Sequence, residues 1–178
     1  TADEEACAAA LPDIDVTIGY EDNTQQVYLN GANVSGLIRT QEVGEAASKT
    51  SAYGAVREKL LNLQRGLAKK NDVLMDGRDI GTVILPDATV KIFLTASVYV
   101  RAKRRYDELV AKGEQTDLHT VIREIEERDY RDSHREVAPL KKAEDAVEVD
   151  SSDLNVDEVV DKIIDIIKRK TANGDQSR

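Results

Sequence analysis

The sequence predicts an α/β domain built on a mainly parallel sheet, because short strand-like apolar runs alternate with longer segments of helical periodicity. The strand-like runs are residues 73–76, 90–94 and 146–149. Helical patterns follow them over residues 97–112, 117–133 and 156–167. Open parallel sheets bind ligands beyond the carboxyl ends of their strands. Polar residues that follow these runs are therefore the first candidates for a functional site.

The amino-terminal part has a different pattern. Residues 3–10 are rich in acids and alanine, which predicts a short helix ending near Pro12. IDVTIGY and QQVYLNG alternate with period two around the polar stretch EDNT, so they predict an antiparallel pair, to which ANVSGLIRT could add a third strand. From Glu42 to Lys69 the apolar residues recur at three and four, as in a helix: Val56, Leu60, Leu63 and Leu67.

The carboxy-terminal half predicts helices with recognisable ends. Gly113 separates two helical segments, and Asn155 can cap the last helix. Cations at residues 168–170 complement the dipole of that helix. Its predicted apolar stripe consists of Val156, Val159, Val160, Ile163, Ile164 and Ile167.

Composition limits the possible functions. The 178 residues suffice for one domain, or one domain with a small insert, and carry a net charge of −9. An acidic chain lacks the basic face of a nucleic-acid scaffold, although a few placed arginines can still bind a small anion. No apolar run approaches the roughly 20 residues of a membrane span. The single cysteine, Cys7, excludes an intramolecular disulfide and favours a reducing compartment, so we expect a cytoplasmic protein.

The turn DGRD, residues 76–79, follows the first strand-like run. Asp76 is placed like the carboxylate that sits near magnesium in phosphate-transfer sheets, although such a residue is more often a cap. Gly77 permits close approach of a ligand. Arg78 then presents a forked hydrogen-bond donor to a ligand, and Asp79 presents an acceptor. The alternative is that the two form a surface ion pair, which contributes little to stability.

Two further clusters contain arginine. In RDYRDSHR, helical spacing places Arg128, Asp132 and Arg135 on one face, with Arg131 on the neighbouring face. The forked guanidinium groups of these arginines match phosphate oxygens. The alternative is a solvated helix with offset Glu–Arg pairs. The second cluster, Arg101, Arg104 and Arg105, predicts either a solvated helix face or a cationic wall for a polyphosphate. His119 and His134 show no metal-ligand spacing.

The order and spacing of these motifs resemble those of the bacterial cytidylate kinases. The similar segments include SGLIRTQEV, DGRDIGTVILPDA, KIFLTAS and RDYRDSHREVAPL, and the resemblance covers about residues 14–167. It implies a nucleoside-monophosphate-kinase fold of the P-loop class, with helices on both faces of a parallel sheet, a small antiparallel insert and a helical lid. The implied segments are the amino-terminal helix and insert at 1–40, core at 41–96, lid at 97–135, and the last strand and helix at 136–178.

The resemblance also implies roles for individual residues. Ser48, Arg57 and Asp79 are expected to read the cytosine ring, while Arg78 and Arg135 are expected to bind the CMP phosphate. Arg128 and Asp132 are expected near the ribose, with Arg128 and Arg131 close to the transferred group. Asp76 is expected to order Mg²⁺ and its waters. Arg101 and Arg105 are expected to lie along ATP.

The implied reaction transfers the γ-phosphoryl group of ATP to CMP or dCMP, with Mg²⁺ accompanying ATP as co-substrate. The implied partners are these small nucleotides, with no nucleic acid and no membrane, and we expect a monomer.

The sequence departs from the resemblance in one respect, because it contains no G-x-x-x-x-G-K-[ST] match. We expect the chain to be a fragment, or the ordered remainder, of a complete kinase from which the first strand and phosphate loop are absent. In the family that strand would lie between the runs at 73–76 and 90–94. Two alternatives are a non-catalytic CMP-binding module that has lost its ATP site and an inert scaffold.

Overall fold

The computed structural model describes residues 3–174, apart from the side chains at 41, 173 and 174. It forms two compact units, Thr1–Val73 and Leu74–Arg178. Together they contain α-helices, a small antiparallel sheet and a small parallel sheet, so the expected α/β class is confirmed at this level.

The first unit begins with a helix and a three-stranded antiparallel sheet and ends with two helices. Its elements are α1 (Glu4–Ala10), a 3₁₀ turn (Leu11–Asp13), β1 (Val16–Glu21), β2 (Thr24–Leu29), β3 (Ala32–Asn33), α2 (Gln41–Thr50) and α3 (Gly54–Lys70).

The predicted antiparallel pair is confirmed. β1 pairs with β2 from Val16 opposite Leu29 to Glu21 opposite Thr24. Asp22 and Asn23 close the hairpin with φ values of 48° and 60°, a left-handed backbone that Asn and Asp tolerate and tight hairpins require. The third strand has only two residues.

The predicted helical stretch 42–69 is two helices rather than one. Thr40 caps α2 by accepting the Val43 N–H at 3.3 Å, and the helix stops before residues 51–53. α3 then carries the leucines of the predicted stripe. Lys59 on α3 donates to the Leu11 carbonyl oxygen at 2.5 Å, which ties this helix to the 3₁₀ turn.

The second unit contains the parallel sheet. Its elements are a π-helical turn (Ile80–Ile84), β4 (Ile92–Thr95), α4 (Val98–Ala111), α5 (Leu118–His134), β5 (Val147–Asp150) and α6 (Val156–Gly174). β4 and β5 pair in parallel, from Ile92 beside Val147 to Thr95 beside Asp150. Both the predicted strands at 90–94 and 146–149 are thus confirmed, with shifts of one or two residues.

The prediction of a strand at residues 73–76 is wrong. These residues have no strand conformation, and Leu74 is 95% exposed. A strand is defined by hydrogen bonds to a neighbour, and within residues 3–174 no strand pairs with this run. Local apolar character is therefore not sufficient to make these residues a strand.

Helices α4 and α5 form an antiparallel hairpin. Ala102, Leu109 and Val121 are its buried core. Ser97 caps α4 through the Val100 N–H and Asp117 caps α5 through the Thr120 N–H. Gly113, at φ +81°, ends the first helix in a left-handed conformation, as the predicted break at this position requires.

The last helix begins with a reciprocal cap. The Asn155 side chain accepts the Glu158 N–H at 3.0 Å, and the Glu158 carboxylate accepts the Asn155 N–H at 2.8 Å. The predicted apolar stripe is only partly buried: Val156 is 78% exposed, whereas Ile166, outside that stripe, is 6% exposed. Among the residues described, no helix has the length and apolar character needed to cross a membrane.

We predict that Gly113→Ala lowers the free energy of unfolding by about 1 kcal/mol, because a Cβ atom disfavours the left-handed backbone. The matched control is Gly66→Ala inside α3, where an added Cβ meets nothing within 4 Å. This control should stabilise the protein by about 0.5–1 kcal/mol, because glycine weakens a helix interior. Denaturant unfolding measures the change in the free energy of unfolding for both variants. A change of the same sign in both would contradict the left-handed backbone assigned to Gly113.

Candidate functional site

The DGRD turn runs directly into the π-helical turn. The Asp79 carbonyl oxygen accepts the N–H groups of Val83 at 2.9 Å and Ile84 at 3.2 Å. A Cβ added to Gly77 would lie 2.9 Å from the Ile80 Cγ1 atom, so the glycine permits this close packing. The backbone therefore fixes Asp79, which is buried, beside the exposed Arg78. Single π turns recur at functional sites.

Arg135 lies beside Asp79. Its Nη2 atom is 3.7 Å from the Asp79 Oδ1 atom, an ion pair beyond hydrogen-bond distance. Its Nε atom donates to the Ala138 carbonyl oxygen at 2.7 Å. Nη2 is buried and hydrogen-bonds to no atom of the residues described. A buried guanidinium with an unused donor is suited to binding an anion.

Asp132 joins the turn to helix α5. It accepts from the Arg78 Nε atom at 3.1 Å, and the Arg128 Nε atom lies 3.9 Å away. Asp132 also accepts the Leu140 N–H on its backbone oxygen at 2.8 Å. The predicted common helix face holds for Arg128 and Asp132. Arg135 lies just beyond the end of α5 in an extended conformation, so its inclusion on that helix face was wrong.

The arginines around Asp132 repel one another. Burial lowers the pKa of Arg128 from its ordinary value, and the positive charge of Arg78 lowers it further, while Asp132 opposes the shift. An arginine nevertheless stays protonated near neutral pH. Arg78, Arg128 and Arg135 outnumber the two carboxylates beside them, Asp79 and Asp132, so the group keeps a net positive charge that can attract an anion.

Helix α4 holds its arginines differently. Arg101 forms a two-pronged ion pair with Asp129, at 3.0 Å and 2.7 Å, and its Nε atom donates to the Ala96 oxygen at 2.9 Å. Arg105 pairs with Glu108 at 3.0 Å. Arg104 donates to the hydroxyl and carbonyl oxygens of Ser151, and so fastens the helix to the loop after β5.

Asp129 was not predicted as a site residue, because the prediction followed the helix face of Asp132. The signal was the first acid in RDYRD together with the arginines of the preceding helix.

Two expected site residues are solvent-exposed. Asp76 immediately precedes Gly77, and Arg131 lies on α5 beside Asp132 in sequence. Within residues 3–174, no group of three or more His, Cys, Asp or Glu side chains is arranged to hold a metal ion.

The two remaining expected residues lie in the first unit. The Ser48 carbonyl oxygen accepts from the Ser51 hydroxyl at 2.9 Å. The Arg57 Nη1 atom donates to the Ser51 carbonyl oxygen at 3.1 Å. Ser48 and Arg57 are thus both fixed to the short break between α2 and α3.

Comparison with known proteins agrees with these motifs. The sequence profile of the family described as Cytidylate kinase matches residues 1–169. The chain belongs to the cytidylate kinase family. The resemblance noted from its motifs is thereby confirmed, and family membership places the chain among the nucleoside monophosphate kinases.

Curated members of the cytidylate kinase family are similar over nearly the whole chain. The cytidylate kinase of Lactobacillus johnsonii is 52% identical over 171 residues, which are 96% of this chain and 74% of the relative. That of Geobacillus sp. is 48% identical over 168 residues, 94% of this chain and 75% of the relative. That of Bacillus subtilis is 47% identical over 169 residues, 95% of this chain and 75% of the relative.

We predict that the Arg101–Asp129 pair is coupled by about 1 kcal/mol, because its geometry is two-pronged and partly shielded from solvent. A double-mutant cycle with Arg101→Ala and Asp129→Ala measures the coupling by denaturant unfolding. The control cycle uses Lys103 and Asp107, an exposed pair one turn apart, for which we expect a weaker coupling. A weaker coupling for Arg101 and Asp129 than for this control would contradict the prediction.

Proposed function

We propose that this protein is a kinase that transfers the γ-phosphoryl group of ATP to CMP or dCMP. The observation that carries the proposal is the position of Arg135, whose buried Nη2 atom has no hydrogen-bond acceptor among the described residues and lies beside Asp79. The match to the cytidylate kinase family supports the choice of acceptor nucleotide.

Arg78 and Arg135 are proposed to bind the phosphate of CMP. Both are in the second unit, one on the DGRD turn and one just after α5. A guanidinium presents parallel N–H groups to phosphate oxygens, and the remaining donor of Arg135 is available for this purpose. The two arginines would together neutralise the phosphate dianion.

Asp79, Ser48 and Arg57 are proposed to read the cytosine ring. Cytosine offers an exocyclic amine donor beside an acceptor nitrogen and an acceptor carbonyl, which a carboxylate and a guanidinium can match. Asp132 and Arg128 are proposed to bind the ribose hydroxyls. Asp132 supports this role because its carboxylate is a hydrogen-bond acceptor and is only 15% exposed.

Phosphoryl transfer depends on positioning and on neutralising charge at the equatorial oxygens of the moving group. Arg128 and Arg131 are proposed to neutralise this charge. Arg101 and Arg105 are proposed to lie along ATP at the start of the helical hairpin. The hairpin would also exclude water, which otherwise competes as the acceptor.

Magnesium is proposed to accompany ATP. The donor set fits an ion held mainly by phosphates and water, because Asp76 is exposed and the described residues form no cage of three or more ligands. Mg²⁺ commonly binds through one or two carboxylates together with substrate phosphates. When bound, it would supply positive charge to the phosphates, and Asp76 would orient its waters.

The alternative function is a CMP-binding module without phosphotransfer. It would keep the contacts that Arg78 and Arg135 are proposed to make to CMP and would lack a functional ATP site.

An assay of the 178-residue chain with ATP, Mg²⁺ and CMP separates the two functions, and UMP is the matched control acceptor. We predict that CMP is converted to CDP and that UMP is phosphorylated at least about 100-fold more slowly. Uracil reverses the hydrogen-bond polarity that Asp79 and Arg57 meet. CMP binding by calorimetry without CDP formation would favour the module. Equal turnover of CMP and UMP would remove the proposed roles of Asp79 and Arg57.

We predict that Arg78→Ala and Arg135→Ala each weaken CMP binding by about 10- to 100-fold, since each removes a charged hydrogen bond to phosphate. Arg123→Ala, an exposed position on α5, is the control and should leave the affinity unchanged. Titration calorimetry measures the affinities, and thermal unfolding checks that the variants fold. CMP binding that is insensitive to both arginines would indicate an inert scaffold.

A further inference from the structure

Lys91, which directly precedes β4, carries its charge at the end of a shielded side chain. The side chain is only 8% exposed, and its Nζ atom lies 2.9 Å from each carboxylate oxygen of Asp145. Asp145 is 62% exposed, so this pair connects the shielded ammonium group to solvent. Lysine stems commonly cover apolar surface in this way while their charged ends reach a polar environment.

The stem of Lys91 lies against the π-helical turn. A Cβ atom added to Gly81, the second residue of that turn, would be 3.3 Å from the Lys91 Cδ atom and 3.6 Å from its Cγ atom. The same added atom would be 3.8 Å from the Cβ atom of Ala143. The glycine thus leaves the space that the stem fills, and the turn, the stem and the segment before β5 meet at this point.

Lys91 is held at both ends of its side chain. At the backbone, its carbonyl oxygen accepts the Val147 N–H at 3.0 Å, next to the first residue pair of the parallel strands. At the other end, the two-pronged pair with Asp145 fixes the ammonium group. Close-packed side chains transmit displacement to their neighbours. A stem held in this way can therefore serve as a support for the turn that packs on it.

We propose that Lys91 is a positioning residue for Asp79, and that its stem holds the π-helical turn where Asp79 can distinguish cytosine from uracil. This inference rests on the proposed function of the site. The link is short, because Asp79 lies two residues before Gly81. The Asp79 carbonyl oxygen also accepts the N–H groups of Val83 and Ile84 within the turn. Lys91 acts through the turn and is assigned no contact with the nucleotide.

Base selection should depend on the position of the turn more steeply than nucleotide binding in general. A hydrogen bond to the buried Asp79 weakens sharply when its distance or angle departs from the optimum. Arg78 and Arg135 are proposed to bind the phosphate, which CMP and UMP share. A displaced turn should therefore weaken CMP binding more than UMP binding, and the ratio of the two affinities reports on the position of Asp79.

The test compares the CMP and UMP affinities of the 178-residue chain and two variants by titration calorimetry. Lys91→Ala removes the stem, whereas Lys91→Met keeps an unbranched apolar stem and removes the charge. We expect Lys91→Ala to lower the ratio of CMP to UMP affinity about tenfold, and Lys91→Met to keep the ratio within about twofold of its original value. An unchanged ratio in Lys91→Ala, or an equal fall in Lys91→Met, would overturn the proposal.

Lys142→Ala is the matched control. Lys142 pairs with Glu148 at 2.9 Å, and both side chains are exposed. The variant makes the same charge change as Lys91→Ala and should leave the ratio unchanged, so a fall of equal size would contradict the proposal. A loss of folded protein lowers the number of binding sites for both nucleotides and leaves the ratio of affinities intact. Destabilisation alone therefore does not imitate the expected result.

Asp145→Ala covers the case in which Lys91→Ala does not fold, because Asp145 is exposed. The variant leaves the shielded ammonium group without its partner, which favours withdrawal of the stem toward water. The CMP to UMP ratio should then fall several-fold. Adding Lys91→Met should restore the ratio, because an apolar stem needs no partner. A ratio that does not fall in Asp145→Ala, or that Lys91→Met does not restore, would overturn the proposal.

Hydrogen exchange tests the support without a nucleotide. The amide protons of Val83 and Ile84 should exchange about tenfold faster in Lys91→Ala, measured relative to the amide of the buried Val121 on α5. In Lys91→Met the relative rates should stay close to those of the unmutated chain. Unchanged relative rates in Lys91→Ala would overturn the proposal. Faster exchange at the turn in a chain that does not bind CMP would show that the proposed function fails while Lys91 still positions the turn.

Discussion

The ion pair between Arg78 and Asp132 connects two segments that are 54 residues apart in the chain. One is a turn held by its own π-helical backbone, and the other is the last part of helix α5. Because Asp132 also accepts the Leu140 N–H on its backbone, the same residue fixes the segment that follows the helix. The pair thus places Arg78 beside Asp132 and Arg128 on α5.

The site shows how an acidic chain can present a local positive field. The net charge is −9, yet residues 1–47 hold nine acids and one base and account for nearly all of it. In the second unit, arginines and carboxylates are interleaved at short range. Electrostatic interactions between solvent-exposed charges weaken beyond about 10 Å at ordinary ionic strength. The local partners of each guanidinium, rather than the total charge, therefore govern anion binding.

Much of the fold was predictable because its signals are local. Caps at Ser97, Asp117 and Asn155, a left-handed glycine and period-two alternation each act within a few residues. The strand predicted at 73–76 does not form, because a strand needs a neighbouring strand to pair with. Local composition does not show whether such a neighbour is present. In the site, residue types and the face shared by Arg128 and Asp132 were predictable. The pairing of Arg135 with Asp79 was not, because no spacing rule links residues 56 positions apart.

Arg104 gives the helical hairpin a fixed point. Its guanidinium holds Ser151 through two hydrogen bonds and Leu154 through a third, all to the loop that follows β5. Any tilt of α4 against the parallel strands would pivot there. The helix continues from Arg104 to its last residue, Ala111, for roughly 11 Å at 1.5 Å per residue. A rotation of a few degrees would hence displace the tip of the hairpin by about an ångström and hardly move the base that carries Arg101.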